Sequence, residues 1–129
     1  MNRGSRNLSE RLMPRAKLWL EVDGQYVFGL GISDTLKAIQ HTGSIKAAAK
    51  ELGKSYRYTW DKVKQAEQAL GAPLVLTQVG GRDARRSELT ALAQDLVVEF
   101  DALRKRLFGL IQKPFHERLR ATVRRHVRR

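Results

Sequence analysis

The side chains with the widest chemical reach in this 129-residue chain are crowded into one segment, Ser55-Tyr56-Arg57-Tyr58-Thr59-Trp60-Asp61-Lys62-Val63-Lys64. Hydroxyl, phenol, guanidinium and ammonium groups at this spacing suit hydrogen bonding and charge pairing with a polar, anionic partner rather than bond cleavage. The three histidines, His41, His116 and His126, have no partners at metal-ligand spacing. No phosphate-binding glycine loop, nucleophile elbow or plausible carboxylate pair is present. The absence of cysteine closes off thiolate zinc sites, cysteine nucleophiles and disulfides, and fits a reducing compartment. No catalytic residue, metal site or cofactor is expected, and the chain does not read as an enzyme.

Lysine and arginine number 25 against 13 Asp and Glu, a formal charge of +12. Such a balance points to a polyanion, nucleic acid first and an anionic membrane surface second. The hydrophobic content of 42% supplies a real core and argues against a wholly disordered basic protein. The charge is unevenly placed: residues 1–17 carry a net +4 and residues 113–129 a net +6, leaving 13 bases and 11 acids between them. The chain therefore divides into a basic flexible arm (1–17), one folded domain (18–112) and a basic tail (113–129). In the tail, Phe115, Leu119, Val123 and Val127 recur at steps of four, which fits an amphipathic basic helix as well as disorder. No apolar run approaches the roughly 20 residues needed to span a bilayer, so a cytoplasmic protein with no membrane partner is expected.

The elements that position the polar segment follow from local patterns. Residues 18–28 alternate apolar and polar around Asp23-Gly24, a hairpin turn signal. Ser33 or Asp34 can cap a first helix that stops at Gly43, and Ser44 a second, Ile45 to Leu52, that stops at Gly53. A third helix from Ser55 to Leu70 presents Thr59, Val63, Ala66 and Leu70 inward. Ala49 and Gly53 provide the small contact and the turn that a steep helix crossing needs. Two short strands, Leu74 to Gln78 and Ser87 to Leu89, flank a loop with Gly80, Gly81, Arg82, Arg85 and Arg86, the form of a wing. From Thr90 a long helix carries Leu92, Leu96, Phe100, Leu103 and Leu107 at steps of three and four, more apolar stripe than a small domain needs for itself.

The run Leu36-Lys37-Ala38-Ile39-Gln40-His41-Thr42-Gly43-Ser44-Ile45, followed by Ala48-Ala49-Lys50, Gly53, Ser55-Tyr56 and Trp60-Asp61, resembles the N-terminal winged helix-turn-helix domain of ModE-type molybdate-responsive regulators. From Gly43 onward the chain is also similar to LysR-type regulators, with Leu70-Gly71, Pro73-Leu74 and Leu89-Thr90 at matching edges. Two positions depart from the pattern: Lys54 stands where an apolar residue is usual, and Ala93 where glycine is usual. The resemblance implies a mainly α fold with small β, a winged helix-turn-helix preceded by a hairpin and followed by a long dimerisation helix. It implies a DNA-binding transcriptional regulator that acts as a homodimer on a palindromic operator. Molybdate-sensing members carry a C-terminal oxyanion-binding region beyond the part that matches, so a direct molybdate switch is not expected.

In this geometry the start of the second helix of the motif enters the major groove, where base edges are distinguishable. Ser55, Tyr56, Arg57, Tyr58 and Lys62 are the candidate base contacts, with Arg57 foremost through a bidentate bond to guanine. Ser44, Lys46, Lys54 and Lys64 are candidates for the phosphate backbone, and Arg82, Arg85 and Arg86 for the wing contact. Trp60 is assigned to the core. Asp61, which would repel phosphate, is expected to pair with a neighbouring lysine. Leu92, Leu96, Phe100, Leu103 and Leu107 are the candidate dimer contacts. Two other readings stay open: a sequence-indifferent basic protein of nucleoid or RNA, and an adaptor that binds another protein.

Overall fold

The computed structural model describes residues 6–80 and 84–128. The chain packs as two units, Leu18–Asp101 and a second made of residues 1–17 with 102–129.

The first unit opens on the expected hairpin, β1 (Trp19–Val22) against β2 (Gln25–Gly29). Asp23 and Gly24 both take positive φ, 50° and 79°, as a two-residue turn matched to the twist of its strands requires. The register shifts between Leu20 and Glu21, which leaves Val27 as an extra residue and turns both Val27 and Phe28 inward. Helix α2 (Leu30–Thr42) follows directly, four or five residues before the start expected from a Ser33 or Asp34 cap. Its N-cap, Gly29, is extended and makes no side-chain bond. The first turn is held instead by burial of Ile32 and Ser33, so packing overrides the capping signal.

Helix α3 (Ile45–Glu51) and helix α4 (Tyr56–Leu70) start as expected. Ser44 Oγ accepts the Ala47 N–H and Ser55 Oγ the Tyr58 N–H, each at 3.0 Å. Between them Gly53 adopts φ +68°, while an added Cβ there would meet nothing; its conformation, not crowding, calls for glycine. Ala49, by contrast, is buried where the helices meet. Strands β3 (Val75–Gly80) and β4 (Ala84–Leu89) pair antiparallel through six positions. They are longer than expected, because Val79, Gly80 and Ala84 to Arg86, read as loop, continue the ladder. Arg82 lies outside the described residues, as does the side chain of Arg85.

Helix α5 (Ala91–Pro114) starts at Thr90, whose Oγ1 accepts the Ala93 N–H at 3.2 Å. Ala93, Val97 and Phe100 face the core, and the rings of Phe28 and Phe100 meet edge-on at 5.2 Å. Ala93 is fully buried, so a methyl group is accommodated where the resembling families have glycine. Phe100, expected at a dimer contact, is only 3% exposed within its own domain, whereas Leu92 and Leu103 are 39% and 47% exposed. Leu96 packs half-buried against the same core, and Leu107 is half-buried.

In the second unit the expected arm carries a short helix, α1 (Leu8–Arg11), closed by a reciprocal cap between Asn7 and Glu10. The tail is helical: α5 passes through a wider π turn (Phe115–Leu119) into α6 (Arg120–His126). Helix α1 packs on α6, and Arg120 Nη2 donates to the Leu12 carbonyl at 2.9 Å. Parts of the segments expected as a basic arm and a basic tail, α1 and α6, thus pack on each other.

Since Phe100 fills the core of its own domain, Phe100→Ala should cost about 3–5 kcal/mol. Urea unfolding would measure this, and the loss should not vary with protein concentration as loss of an intersubunit contact would.

Candidate nucleic-acid interface

Helix α4 buries Thr59, Val63 and Ala66, and with about 100° per residue this decides where its polar groups go. Arg57 and Asp61 form the outward crest, Tyr56, Trp60 and Lys64 one flank, and Tyr58 and Lys62 the other. Arg57 is 83% exposed and its Nε lies 3.6 Å from Asp61 Oδ2. Asp61 therefore pairs with the arginine four residues before it, not with a lysine as expected. The guanidinium also lies 6.0 Å from the Trp60 ring centroid. Trp60 is half-buried against the core, in keeping with its assignment there.

The first flank faces a groove lined by Ser44, Lys46, Tyr56, Trp60, Lys64, Thr77 and Ser87. Three elements meet in it: the start of α3, the side of α4 and the base of the β3–β4 hairpin. Candidate phosphate contacts Ser44, Lys46 and Lys64 are thereby gathered beside Tyr56. Lys64 also lies 3.2 Å from Glu67, so part of its charge is balanced locally. The second flank lines a cleft with Lys54, Tyr58 and Lys62 beside Tyr26 and Thr35. The ammonium groups of Lys54 and Lys62 each lie 5.5 Å from the Tyr58 ring centroid. Burial, with a smaller contribution from Tyr58, raises the Tyr26 hydroxyl above the usual tyrosine range.

Ser55 spends its oxygen on the cap of α4 and is exposed. Arg86 is exposed and lines a third cleft with His41, Ser44 and Gln78. A backbone bond fixes the wing beside the motif: the Ser87 N–H donates to the Gly43 carbonyl at 2.8 Å. Among the described residues no group of three or more His, Cys, Asp or Glu is placed to hold a metal ion.

Sequence reasoning missed three residues here. Thr77 and Tyr26 reach the clefts through strand pairing and packing that no local pattern announces. Glu67 has a local sign, a carboxylate in the last turn of a helix where the dipole disfavours it. Its Oε2 accepts the N–H groups of Leu74 at 2.8 Å and Val75 at 3.1 Å, tying the end of α4 to β3.

Two helices crossing over a glycine turn, a two-stranded wing hydrogen-bonded to the turn that precedes them, and an exposed polar crest on the second helix define a winged helix-turn-helix domain. Residues 34–94 match the family model described as "Bacterial regulatory helix-turn-helix protein, lysR family". The chain is 40% identical over 68 residues to the molybdenum-pterin-binding protein MopB of Rhodobacter capsulatus, covering 53% of this chain and 25% of that protein. It is 33% identical over 95 residues to the transcriptional regulator ModE of Haemophilus influenzae, covering 69% of this chain and 37% of that protein. Among solved structures, a CbnR_DBD-DNA complex matches with 25% identity and a TM-score of 0.47, over 72% of this chain and 95% of that one. The N-terminal part of the chain carries a ModE-like helix-turn-helix domain, and the chain spans 25% and 37% of the length of these two curated relatives.

The Glu67 bonds generate a prediction. Glu67→Ala leaves two backbone donors without their carboxylate and should cost about 1.5–3 kcal/mol in urea unfolding. Glu67→Gln, which keeps an acceptor oxygen, should lose less.

Proposed function

We propose that this chain is a sequence-specific DNA-binding transcriptional regulator that lays the start of α4 in the major groove of double-stranded DNA. The observation that carries the reading is the exposed crest of α4, where Arg57 projects opposite the buried Thr59 and Val63. The flanking grooves supply the rest: Ser44, Lys46, Tyr56 and Lys64 on one side and Lys54, Tyr58 and Lys62 on the other. Arg57 reads a base, with Ser55, Tyr56, Tyr58 and Lys62 as further base contacts, and Ser44, Lys46, Lys54 and Lys64 hold phosphates. Arg86, with Arg82 and Arg85, holds the backbone from the wing. The printed name of one relative, a transcriptional regulator, points the same way.

A homodimer through α5 completes the proposal, with Leu92, Leu96, Leu103 and Leu107 as its contacts. Leu92 and Leu103 are exposed and free to meet a partner. Two-fold symmetry would match a palindromic site with half-sites about 34 Å apart or a multiple of it. Leu103→Asp should shift sedimentation from dimer to monomer; an unchanged dimer removes this contact.

Selection from a random duplex pool should enrich a palindrome. Arg57→Ala should then weaken binding to the preferred site by about 1–3 kcal/mol and flatten the preference at one base position. Unaltered specificity would take the reading role from Arg57. Asp61→Asn removes the crest carboxylate and should tighten binding to every duplex, measured by fluorescence anisotropy. If no sequence is enriched, the sequence-indifferent reading replaces this one.

A further inference from the structure

The two packed units divide the charge almost completely. Residues 1–17 and 102–129 hold 15 Lys and Arg against Glu10 and Glu117, a net of +13, while residues 18–101 hold 10 against 11, a net of −1. Of the 15 cations, 12 are arginines. Among the described residues none of them is paired with a carboxylate: the ion pairs of this chain join Lys37, His41, Arg57 and Lys64 to acids of the other unit. A large unbalanced charge of one sign repels itself. It is stable in a packed unit only at a cost that a bound polyanion removes.

We propose that the helical unit of residues 1–17 and 102–129 is a second binding surface, built for the phosphate backbone of duplex DNA and indifferent to its sequence. The choice of duplex DNA as partner rests on the reading of the helix-turn-helix above. The backbone stays helical from residue 102 through the π turn to His126, a span of about 37 Å at 1.5 Å per residue. Lys105, Arg106, Lys113, Arg124 and Arg125 are exposed along it. Leu107, Ile111, Phe115 and Val123 are buried or half-buried on the other side. In an α-helix, steps of four drift by about 40° each; the wider π turn takes up that drift, so Phe115 and Val123 stay in line and the basic face stays opposite. The arm closes on this helix through α1 and the Arg120 bond to the Leu12 carbonyl. Arm and tail therefore present their charge as one folded body, not as two loose tails.

The same observations weigh against an anionic membrane. An amphipathic helix binds a bilayer by inserting its apolar face; here Leu110 and Leu119 are 65% and 54% exposed, but Phe115, at the centre of that face, is 7% exposed and Arg120 is bound to the arm. Arginine in excess favours phosphate diesters held by planar, forked hydrogen bonds. The surface contributes affinity and a steep salt dependence, and leaves base selection to α4.

The test uses the full chain and the variant K113Q/R124Q/R125Q, whose substituted side chains are exposed and whose glutamines keep helix propensity. Circular dichroism should show unchanged helix content. Binding to random-sequence duplex is measured from about 50 to 200 mM salt, where each phosphate contact contributes about 0.9 to the slope of log K on log salt. The variant should show a slope lower by up to about 2.7, with the same fold-loss on random duplex and on a selected site. An unchanged slope overturns the proposal, as does loss of binding to phosphatidylserine vesicles with duplex binding intact. A lowered slope without any enriched sequence would sink the helix-turn-helix reading while leaving this surface standing. An enriched sequence with an unchanged slope would do the reverse.

Discussion

One buried-edge carboxylate organises the helix-turn-helix and its wing. Glu67, at the end of α4, gives one oxygen to the Leu74 and Val75 amides and the other to Lys64. The chain leaves α4 through Gly71-Ala72-Pro73, where the Gly71 and Ala72 N–H groups donate to the Glu67 carbonyl at 2.8 and 3.2 Å, and the carboxylate of the same residue then holds the strand that follows. Once β3 is anchored, β4 follows by pairing, and the Ser87 N–H reaches the Gly43 carbonyl at the α2–α3 turn. The circuit closes through α3 and its crossing with α4. Everything that faces outward from α4 is oriented by this ring of hydrogen bonds.

Within that frame the polar crest is arranged at little energetic cost. The Arg57–Asp61 pair is exposed, and such pairs contribute on the order of 0–1 kcal/mol at most. It holds the guanidinium near the Trp60 ring without binding it so tightly that a base edge cannot displace the carboxylate. A lysine in place of Arg57 would keep the charge but lose the planar fork that a guanine edge requires. The near-neutrality of residues 18–101 has the same logic: Arg57 and Lys64 on α4 stand close to Asp61 and Glu67.

Local chemistry with a single partner was legible in the residues. Ser44, Ser55 and Thr90 cap the helices they precede, Gly43 and Gly71 end helices in the left-handed region, and Thr59, Val63 and Ala66 mark the inner face of α4. What was not legible depends on contacts remote in sequence. Helix α2 starts early because Ile32 and Ser33 are buried by other elements. The wing strands run longer because the backbone ladder continues through the pairs Gln78 with Arg86, Val79 with Arg85 and Gly80 with Ala84, all but Gln78 being positions read as loop. Phe100 satisfies a stripe at helical spacing, but the spacing cannot say whether the facing surface belongs to the same chain; the Phe28 ring decides it. Arm and tail looked independent because a four-residue helix has no measurable period, and its packing on α6 lies more than a hundred residues away along the chain.

Lys54 is where these threads meet. An apolar residue in the turn, as the resembling families have, would pack inward; here the side chain is exposed while its backbone N–H still bonds the Ala49 carbonyl at 2.9 Å. The fold therefore does not use the side chain. Its ammonium instead shares the Tyr58 ring with Lys62, both at 5.5 Å, in a cleft whose far wall is Tyr26. Two like charges around one ring repel, and the ring's attraction, about 0.5–1 kcal/mol per exposed cation, offsets this only in part. An anionic group entering on the Tyr58 side of the cleft gains from both ammoniums and relieves their repulsion, against the Asp34 carboxylate that also lines it. The departure at position 54 thus costs the turn nothing in hydrogen bonds and adds a cation on the flank of α4 opposite Ser44 and Lys46, so that backbone contacts become possible on both sides of the reading crest.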